Sequence, residues 1–504
     1  MDPIAATAEP APADAPQRRN PVRRPFLLLS ALLILYTGAL LVYSQTMAFV
    51  WDEGFHILAA QLIDRGETPY LDFCFPQTPL NAYWNAGWMA VFGESWRVTH
   101  TIAALEIAVA IFLVMDFVFA RFFIVRWRFA AALAAAIFVG FNVTVVQFGP
   151  VSQAYAIGLL LVVAAFRASV AAVASEKWLI AGAAGLLAGC AAGTTLLTAP
   201  VAPVLLIWIV VSNRAGGRWA KGGAFVVGAL VPFAPMFWLF AKAPRRVFFN
   251  IVQYQAIFRR VNWNGATPHD VDVLSGWLND VQSLLLGLLA PAGLWYVARR
   301  SRWDVALRRE FYLCGWLSLV LVLYISTAHP TFSRYFIFAI PFLTILAMVG
   351  LYWAGSRLGS PERPLFPTAL VIALVVLALA RALFDDRDSE KWTEYQDIAR
   401  KVDQVTAPNG RLYADEMVYF LTRRMPPRGM EFSYAHELEL PAAEEKLYHI
   451  ISKRELTEQV KAGKFDTVQS CNDDMIDKMG LTNLFPHEAD IGDCSIFWGK
   501  VKGK

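Results

Sequence analysis

Long runs without a charged residue, separated by short basic clusters, make up most of the first 384 residues. Four of these runs contain 27, 38, 36 and 20 residues and cover 25–51, 129–166, 178–213 and 222–241. Because a helix needs about 20 apolar residues to cross a bilayer, the first and last runs each predict one span. The two longer runs each predict two spans, joined by hinges at 142–150 and 193–195.

Further apolar runs predict five more spans, at 97–124, 278–298, 310–327, 334–355 and 365–384. The total is eleven. The first run is too long for a removable signal peptide and has no small-residue cleavage site. The Pro- and Ala-rich segment 1–25 before it is expected to be a disordered cytoplasmic tail. The predicted fold class is a mainly α polytopic membrane protein, with its transmembrane domain over 26–384.

The last part of the chain has a different composition. Residues 385–504 hold 23 of the 41 acidic residues, and their pattern predicts a soluble α/β domain. We expect strands at 411–415, 465–468 and 495–498, and helices at 416–424 and 455–462. Cys471 and Cys494 either form a disulfide or remain two buried thiols, and the sequence leaves both open. Over the whole chain, 17% charged residues argue against a soluble protein, which carries about 25%.

The basic residues predict an orientation in the membrane. With a cytoplasmic N-terminus, the cytoplasmic loops carry 19 Lys and Arg, whereas the opposite loops carry 8 when the tail domain is left out. Because basic loops favour the cytoplasmic side, eleven spans place the C-terminal domain outside, with the long loops 51–96 and 242–279. We therefore expect a bacterial inner-membrane protein with a periplasmic C-terminal domain.

The outer loop 51–96 concentrates the candidate chemistry. It holds six of the fifteen acidic residues between 26 and 384. Four apolar residues recur there at helical spacing, which predicts an amphipathic helix on the membrane surface that ends near Gly66. They are Phe55, Leu58, Ala59 and Leu62.

Three polar residues of this loop each allow two interpretations. Asp52 is either a helix N-cap or a carboxylate at the membrane surface that acts as a general base. His56, one turn further on, is either a structural hydrogen-bonding residue or part of a substrate site. Asp72 is either a turn cap or a residue that places the substrate. No spacing of His, Cys and carboxylates predicts a metal site, so no cofactor is expected, although a divalent metal is left open.

Arginines on the outer face run against the positive-inside trend. Arg259, Arg260 and Arg334 are either interfacial residues that contact lipid headgroups or ligands for a phosphate, which arginine binds through several fixed donors. Arg334 opens an apolar span, where an unpaired charge is costly and often marks a site. Glu106, inside the second span, has no partner that the sequence identifies.

No Walker-type loop or dinucleotide fingerprint is present. The sequence therefore predicts no site for ATP or a nucleotide sugar, and no nucleic-acid partner. Polar chemistry on the outer face then requires a substrate that arrives within the membrane.

Together these motifs resemble the GT-C glycosyltransferases. The resemblance is carried by Asp52-Glu53, by Gly66–Phe73 with its Pro-Tyr-x-Asp-Phe ending, by Pro76–Leu80 and by Arg334-Tyr335. The sequence is most similar to the bacterial protein-mannosyltransferase and aminoarabinose-transferase relatives, the glycosyltransferase 39/83 group. The resemblance covers about residues 26–384.

The resemblance implies a polyprenyl-phosphate-linked sugar donor, transfer on the periplasmic face, and Asp52 as the essential carboxylate. We expect an inverting single displacement in which Asp52 activates the acceptor, Asp72 helps to place the substrates and Glu53 is the next catalytic candidate. Arg334, with Arg259 or Arg260, would stabilise the departing phosphate. The substrate-binding candidates are completed by His56, Tyr70, Gln77 and Tyr335.

The acceptor is expected to be a lipid, a glycan or a protein, and the sugar is left open. The alternative function is a transporter or flippase of polyprenyl-linked glycans. Such transporters often show paired internal halves and broken helices, and this sequence shows no convincing repeat. A nonenzymatic scaffold would explain the tail domain but not the motifs of loop 51–96.

Overall fold

The apolar runs form long helices, most of which end at polar or small residues. The computed structural model describes residues 23–213, 216–259, 265–300, 304–358 and 365–499. Residues 1–22 of the predicted disordered tail 1–25 therefore lie outside the described residues. Both predicted hinges are confirmed, because the helices break at Gly140–Tyr155 and again at Thr194–Val201.

The helices of the first half are, in chain order, α1 (Arg23–Thr46), α2 (Glu53–Asp64), α3 (Leu80–Phe92), α4 (Trp96–Arg121), α5 (Arg128–Gly140), α6 (Val143–Phe148), α7 (Tyr155–Ala174), α8 (Trp178–Thr194), α9 (Val201–Ser212), α10 (Arg218–Leu230), α11 (Ala234–Lys242), α12 (Pro244–Phe248) and a π-helix (Phe249–Phe258). They are followed by α13 (Ala266–Gly276), α14 (Val281–Arg299), α15 (Val305–Ser326), a 3₁₀ helix (Ser333–Phe338), α16 (Ile340–Leu358) and α17 (Leu365–Asp385).

Eight helices within the described ranges are long and apolar enough to cross a membrane, and α8 and α9 are shorter apolar helices. The chain is thus a polytopic, mainly α membrane protein, and the exact total of eleven spans stays a prediction. Pairs of these helices pack closely through small residues, as membrane helices often do. A Cβ added to Gly189 of α8 would lie 2.2 Å from the Ala229 carbonyl oxygen of α10.

The C-terminal domain is the predicted small α/β unit. Its elements are α18 (Trp392–Val405), β1 (Leu412–Tyr413), α19 (Glu416–Thr422), α20 (Ala442–Tyr448), α21 (Lys453–Lys461), β2 (Thr467–Ser470), α22 (Asp473–Met479), α23 (Leu481–Leu484), β3 (His487–Ile491) and β4 (Cys494–Trp498). The sheet order is β1-β2-β4-β3, with β1 and β2 parallel and the other pairs antiparallel. The three predicted strands and two predicted helices are confirmed, whereas β3, α18, α20, α22 and α23 were not predicted. Cys471 and Cys494 form a disulfide.

The sequence prediction for α2 is wrong in one respect. The helix forms where expected, and Gly66 follows its end with a φ of 94°. It does not lie open on a membrane surface, however, because every residue from Glu53 to Leu62 is buried. The C-terminal domain covers the polar face that the sequence assigns to water: the Gln61 side chain donates to the Phe420 carbonyl, 3.1 Å away.

Loop 51–96 and the C-terminal domain share one hydrophobic core. The shared core includes Phe55 and Phe75 from the loop and Trp392 and Tyr419 from the domain. Both segments therefore lie on the same side of the transmembrane helices. The chain must therefore cross the membrane an even number of times between them. Ten of the eleven predicted spans lie between the two segments, and ten is an even number.

Glu53 holds several of these segments together. Its carboxylate accepts hydrogen bonds from His100 Nε2 at 2.6 Å, from the Ser152 backbone N–H at 2.8 Å and from Trp392 Nε1 at 3.2 Å. Burial opposes ionisation, but His100 and the Ser152 bonds hold the pKa of Glu53 below its usual value. Nδ1 of His100 lies 2.6 Å from the Ser44 carbonyl oxygen, so both ring nitrogens contact oxygen atoms.

We predict that Glu53→Ala destabilises the protein by about 3–5 kcal/mol, the usual cost of removing one partner of a buried ion pair. The remaining His100 ring and the Trp392 N–H would be buried without their acceptor. Chemical unfolding in detergent micelles measures the loss. Asp64→Ala is the matched control, because Asp64 is the exposed last residue of the same helix; an equal loss in both variants would contradict the role of Glu53.

A second prediction concerns His56. Burial lowers its pKa to about 4, against the opposite effect of Asp52 and Glu53. In the unfolded chain the pKa is about 6.5. Between these values the unfolded chain binds a proton that the folded protein does not, so the free energy of unfolding falls as the pH falls. This residue alone contributes a fall of about 3 kcal/mol over the whole window.

The His56→Gln variant lacks this titration, so it should lose less stability than the wild type between pH 6.5 and pH 4. Chemical unfolding at a series of pH values provides the comparison, and the other titrating groups cancel in the difference between the two proteins. Parallel pH profiles would show that His56 is not held neutral by burial.

Candidate active site

A cavity of about 1090 Å³ lies where the transmembrane helices meet loop 51–96 and the C-terminal domain. Its wall combines apolar side chains with a small number of polar ones, as in most ligand sites. Seven segments, spread over most of the chain, line it: 52–56, 76–78, 153–155, 195–197, 251–259, 324–335 and 432–438.

Asp52 occupies the centre of the polar wall. Its side chain makes no cap hydrogen bond to α2, so the N-cap interpretation is not supported by the structure. One carboxylate oxygen instead forms an ion pair with Arg334, and the other accepts a 2.8 Å hydrogen bond from the Tyr434 hydroxyl. The Asp52 side chain is 25% exposed and that of Arg334 is 19% exposed, so the pair faces the cavity rather than open water.

Arg334 lies at the start of the 3₁₀ helix that precedes α16. Its guanidinium carbon lies 4.2 Å from the ring centroid of Phe332, in a cation–π contact. Its buried Nε has no hydrogen-bond partner among the described residues. Arg334 thus carries donor capacity beyond its bond to Asp52, and it is fixed in place by an aromatic ring.

A second arginine lines the same cavity. Arg259 donates to the Tyr335 hydroxyl at 2.6 Å and to Gln255 Oε1 at 3.2 Å. Both partners are neutral, so the positive charge of Arg259 has no carboxylate beside it in these bonds. Arg259 follows the π-helix, a type of turn that is frequent at functional sites. Arg260, the other arginine of this predicted pair, lies outside the described residues.

The structure divides the remaining predicted site residues into two groups. His56 and Gln77 line the cavity, and Nδ1 of His56 has no hydrogen-bond partner within the described part of the chain. Asp72 and Tyr70 do not line it. The Asp72 carboxylate accepts from the Thr68 backbone N–H at 2.8 Å, as a turn cap does, and the buried Tyr70 hydroxyl donates to the Gln77 carbonyl at 2.5 Å.

Glu53 also lies away from the cavity, in the buried cluster described above. The adjacent residues Asp52 and Glu53 therefore face different environments. Glu106, for which the sequence identified no partner, accepts a 2.7 Å hydrogen bond from Trp84 Nε1.

Sequence reasoning missed two parts of the site. Tyr434 belongs to the C-terminal domain, more than 380 residues after Asp52 in the chain, and no local pattern relates them. His329 lines the cavity and bonds through Nδ1 to Asp270. His329 and Asp270 are 59 residues apart in the chain, and no local pattern indicates that they meet.

The polar residues of the cavity wall thus include two acidic residues, two arginines, two histidines and Tyr434, beside apolar side chains. No group of three or more His, Cys, Asp and Glu residues within the described ranges is arranged to hold a metal ion. Arginines of this kind bind phosphate through charge-assisted hydrogen bonds. The arrangement can hold an anionic group beside a carboxylate that accepts a proton.

Comparison with known proteins identifies the fold. No protein-family model matches the sequence, and the comparison with curated proteins found no match. The structure is similar to ArnT from Cupriavidus metallidurans bound to undecaprenyl phosphate, with a TM-score of 0.64 and 16% sequence identity over 94% of this chain and 97% of that one. For ArnT in the apo state the TM-score is 0.63, with the same identity and the same coverage.

The oligosaccharyltransferase of Archaeoglobus fulgidus, in a complex with Zn and sulfate, is more distant. It has a TM-score of 0.50 and 13% identity, over 78% of this chain and 62% of that one. At these identities the comparisons establish the fold alone. The chain has the GT-C fold expected from its sequence, in a form that matches ArnT over nearly the full length of both chains.

Proposed function

We propose that this protein is a membrane glycosyltransferase that moves a sugar from a polyprenyl-phosphate carrier to a lipid, glycan or protein acceptor. The observation that carries the proposal is the ion pair of Asp52 and Arg334 on the wall of a large, partly apolar cavity. The cavity thus holds the Asp52 carboxylate, which can take a proton, next to the Arg334 guanidinium, which can hold a phosphate.

The carrier is proposed from two independent lines of support. The ArnT structure with the same fold holds undecaprenyl phosphate. In this chain, apolar residues such as Leu197 and Ile251 share the cavity wall with Arg259 and Arg334. An apolar wall suits a prenyl chain, and the arginines suit the phosphate that joins it to the sugar.

The proposed reaction is a single displacement with inversion. The acceptor oxygen forms a bond to the anomeric carbon while the bond from that carbon to the phosphate oxygen breaks. The electron pair of the broken bond stays on the polyprenyl phosphate, which gains negative charge that Arg334 and Arg259 stabilise. Asp52 takes the proton that the acceptor hydroxyl loses.

Arg334 has two anionic partners in this scheme. Before the donor binds, it is the counter-ion of Asp52, and the guanidinium occupies one of the two carboxylate oxygens. A phosphate that enters the cavity competes for the same guanidinium. We therefore propose that donor binding draws Arg334 towards the phosphate and so frees Asp52 to act as the base.

The C-terminal domain also contributes to this site, and in our proposal the acceptor binds on the side of the cavity that this domain lines. Tyr434 donates to Asp52, and its neighbours Phe432 and Leu438 line the cavity. The predicted orientation places this domain in the periplasm. The Cys471–Cys494 disulfide supports that side, because disulfides persist in oxidising compartments.

The proposal predicts that Asp52→Asn lowers sugar transfer by about 10²–10⁴-fold, the usual effect of losing a general base. The amide has nearly the same shape and still accepts from Tyr434, so folding should survive. The measurement is transfer from a polyprenyl-phosphate sugar by the purified variant in lipid nanodiscs, with binding of undecaprenyl phosphate recorded in parallel. Asp72→Asn is the control, because Asp72 caps a turn outside the cavity.

Lost transfer with retained carrier binding is the expected result. Near-normal transfer in Asp52→Asn would remove Asp52 from the chemistry. A protein that binds the carrier and moves it between leaflets without sugar transfer would support the flippase alternative, because a flippase removes no proton from an acceptor.

A further inference from the structure

His329 is a cavity residue that the proposed mechanism does not yet use. It lies at the start of the segment 329–335 that also carries Arg334 and Tyr335, and all three residues line the cavity. The His329 side chain contacts Asp270 of α13.

Two consecutive residues of α13 fix the position of His329. One oxygen of Asp270 bonds to His329 Nδ1, and the other accepts from the Thr331 backbone N–H at 2.6 Å. Nε2 of His269 lies 3.0 Å from the Thr331 carbonyl oxygen. Because both oxygens of Asp270 are occupied, the carboxylate cannot rotate freely, and the imidazole ring is held in one orientation.

This arrangement determines which nitrogen is available to a ligand. A carboxylate that accepts at Nδ1 places a hydrogen on that nitrogen and leaves Nε2 for another partner. No group of the described residues bonds to Nε2. The His329 side chain is 31% exposed and that of Asp270 is 17% exposed, so a half-buried carboxylate supports a ring that is open to the cavity.

The neighbouring charges indicate what Nε2 binds. An anionic ligand at Nε2, together with Asp270 at Nδ1, would place acceptors on both ring nitrogens, and both nitrogens are donors in the protonated imidazole. The same cavity contains two arginines, Arg259 and Arg334. The two guanidinium groups and the open Nε2 of His329 provide hydrogen-bond donors to one cavity, and this set is suited to an anion with more than one negative charge.

We propose that His329 donates through Nε2 to the phosphate of the polyprenyl carrier, and that Asp270 is its positioning residue. The inference rests on the proposed function. When the sugar–phosphate bond breaks, the electron pair stays on the phosphate oxygen, and the carrier leaves as a phosphate monoester. His329 then stabilises a charge that the intact donor does not carry, so its effect is larger on the released carrier than on the donor.

The competing interpretation is a turn clamp. In that case the only role of His329 is to tie residues 329–331 to α13 through Asp270. Two substitutions separate the roles, because Asn places its amide nitrogen near the position of Nδ1 and Gln places it near that of Nε2. His329→Asn keeps the bond to Asp270 and removes the donor to the cavity, whereas His329→Gln does the opposite.

The test measures binding of undecaprenyl phosphate to the wild type and both variants in lipid nanodiscs, with uncharged undecaprenol as the control ligand. We expect His329→Asn to weaken binding of the phosphate by about tenfold or more, the usual effect of losing a hydrogen bond to a charged group. His329→Gln should keep most of the affinity. Binding of undecaprenol should be the same in all three proteins, and the melting temperature of His329→Asn should match that of the wild type.

Wild-type affinity in His329→Asn, with a loss of affinity or stability in His329→Gln, would establish the turn clamp and overturn the inference. Wild-type affinity in both variants would overturn it as well. These outcomes leave the proposed function intact. If the wild type itself does not bind undecaprenyl phosphate, the proposed function fails, and the inference about His329 fails with it.

Discussion

The ion pair between Asp52 and Arg334 is the interaction on which the proposed site depends. A carboxylate and a guanidinium in a partly buried cavity each lose hydration, and that cost is offset only when the two charges meet in good geometry. Both residues of the ion pair are held in position by their neighbours. Glu53 fixes the start of α2 through His100, Ser152 and Trp392, and the Phe332 ring holds the guanidinium of Arg334. Asp52 therefore faces the cavity because its neighbour is anchored in the protein interior.

The same constraint explains why the C-terminal domain is part of the site. Trp392 bonds to Glu53 and stacks on Trp96, with ring centroids 5.1 Å apart. Tyr434 bonds to the free oxygen of Asp52. One domain thus contacts both adjacent carboxylates. A change in the docking of this domain would alter the support of Glu53 and the environment of Asp52 together, which connects the stability of the interface with the chemistry proposed for the cavity.

The sequence predicted those features that are encoded locally. Apolar runs indicated the long helices and both hinges, and the α/β pattern of the tail domain matched five of its elements. Contacts between distant segments left no local signal. The spacing of Phe55, Leu58 and Leu62 indicated a helix with one apolar face, but it could not show that the C-terminal domain covers the opposite face. For the same reason Asp52 and Arg334 were predicted separately, whereas Tyr434 and the His329–Asp270 pair were missed.

The central claim is that Asp52 and the donor phosphate compete for Arg334. A double-mutant cycle on the binding of undecaprenyl phosphate tests it, with the wild type, Asp52→Asn, Arg334→Gln and the double variant in the same nanodiscs. If the two anions compete, Asp52→Asn should tighten binding by about fivefold, the value of one partly exposed ion pair, and the gain should disappear in the Arg334→Gln background. An equal gain in both backgrounds would indicate simple charge repulsion, and the absence of any gain in Asp52→Asn would show that the ion pair does not oppose donor binding. Either result would contradict the account.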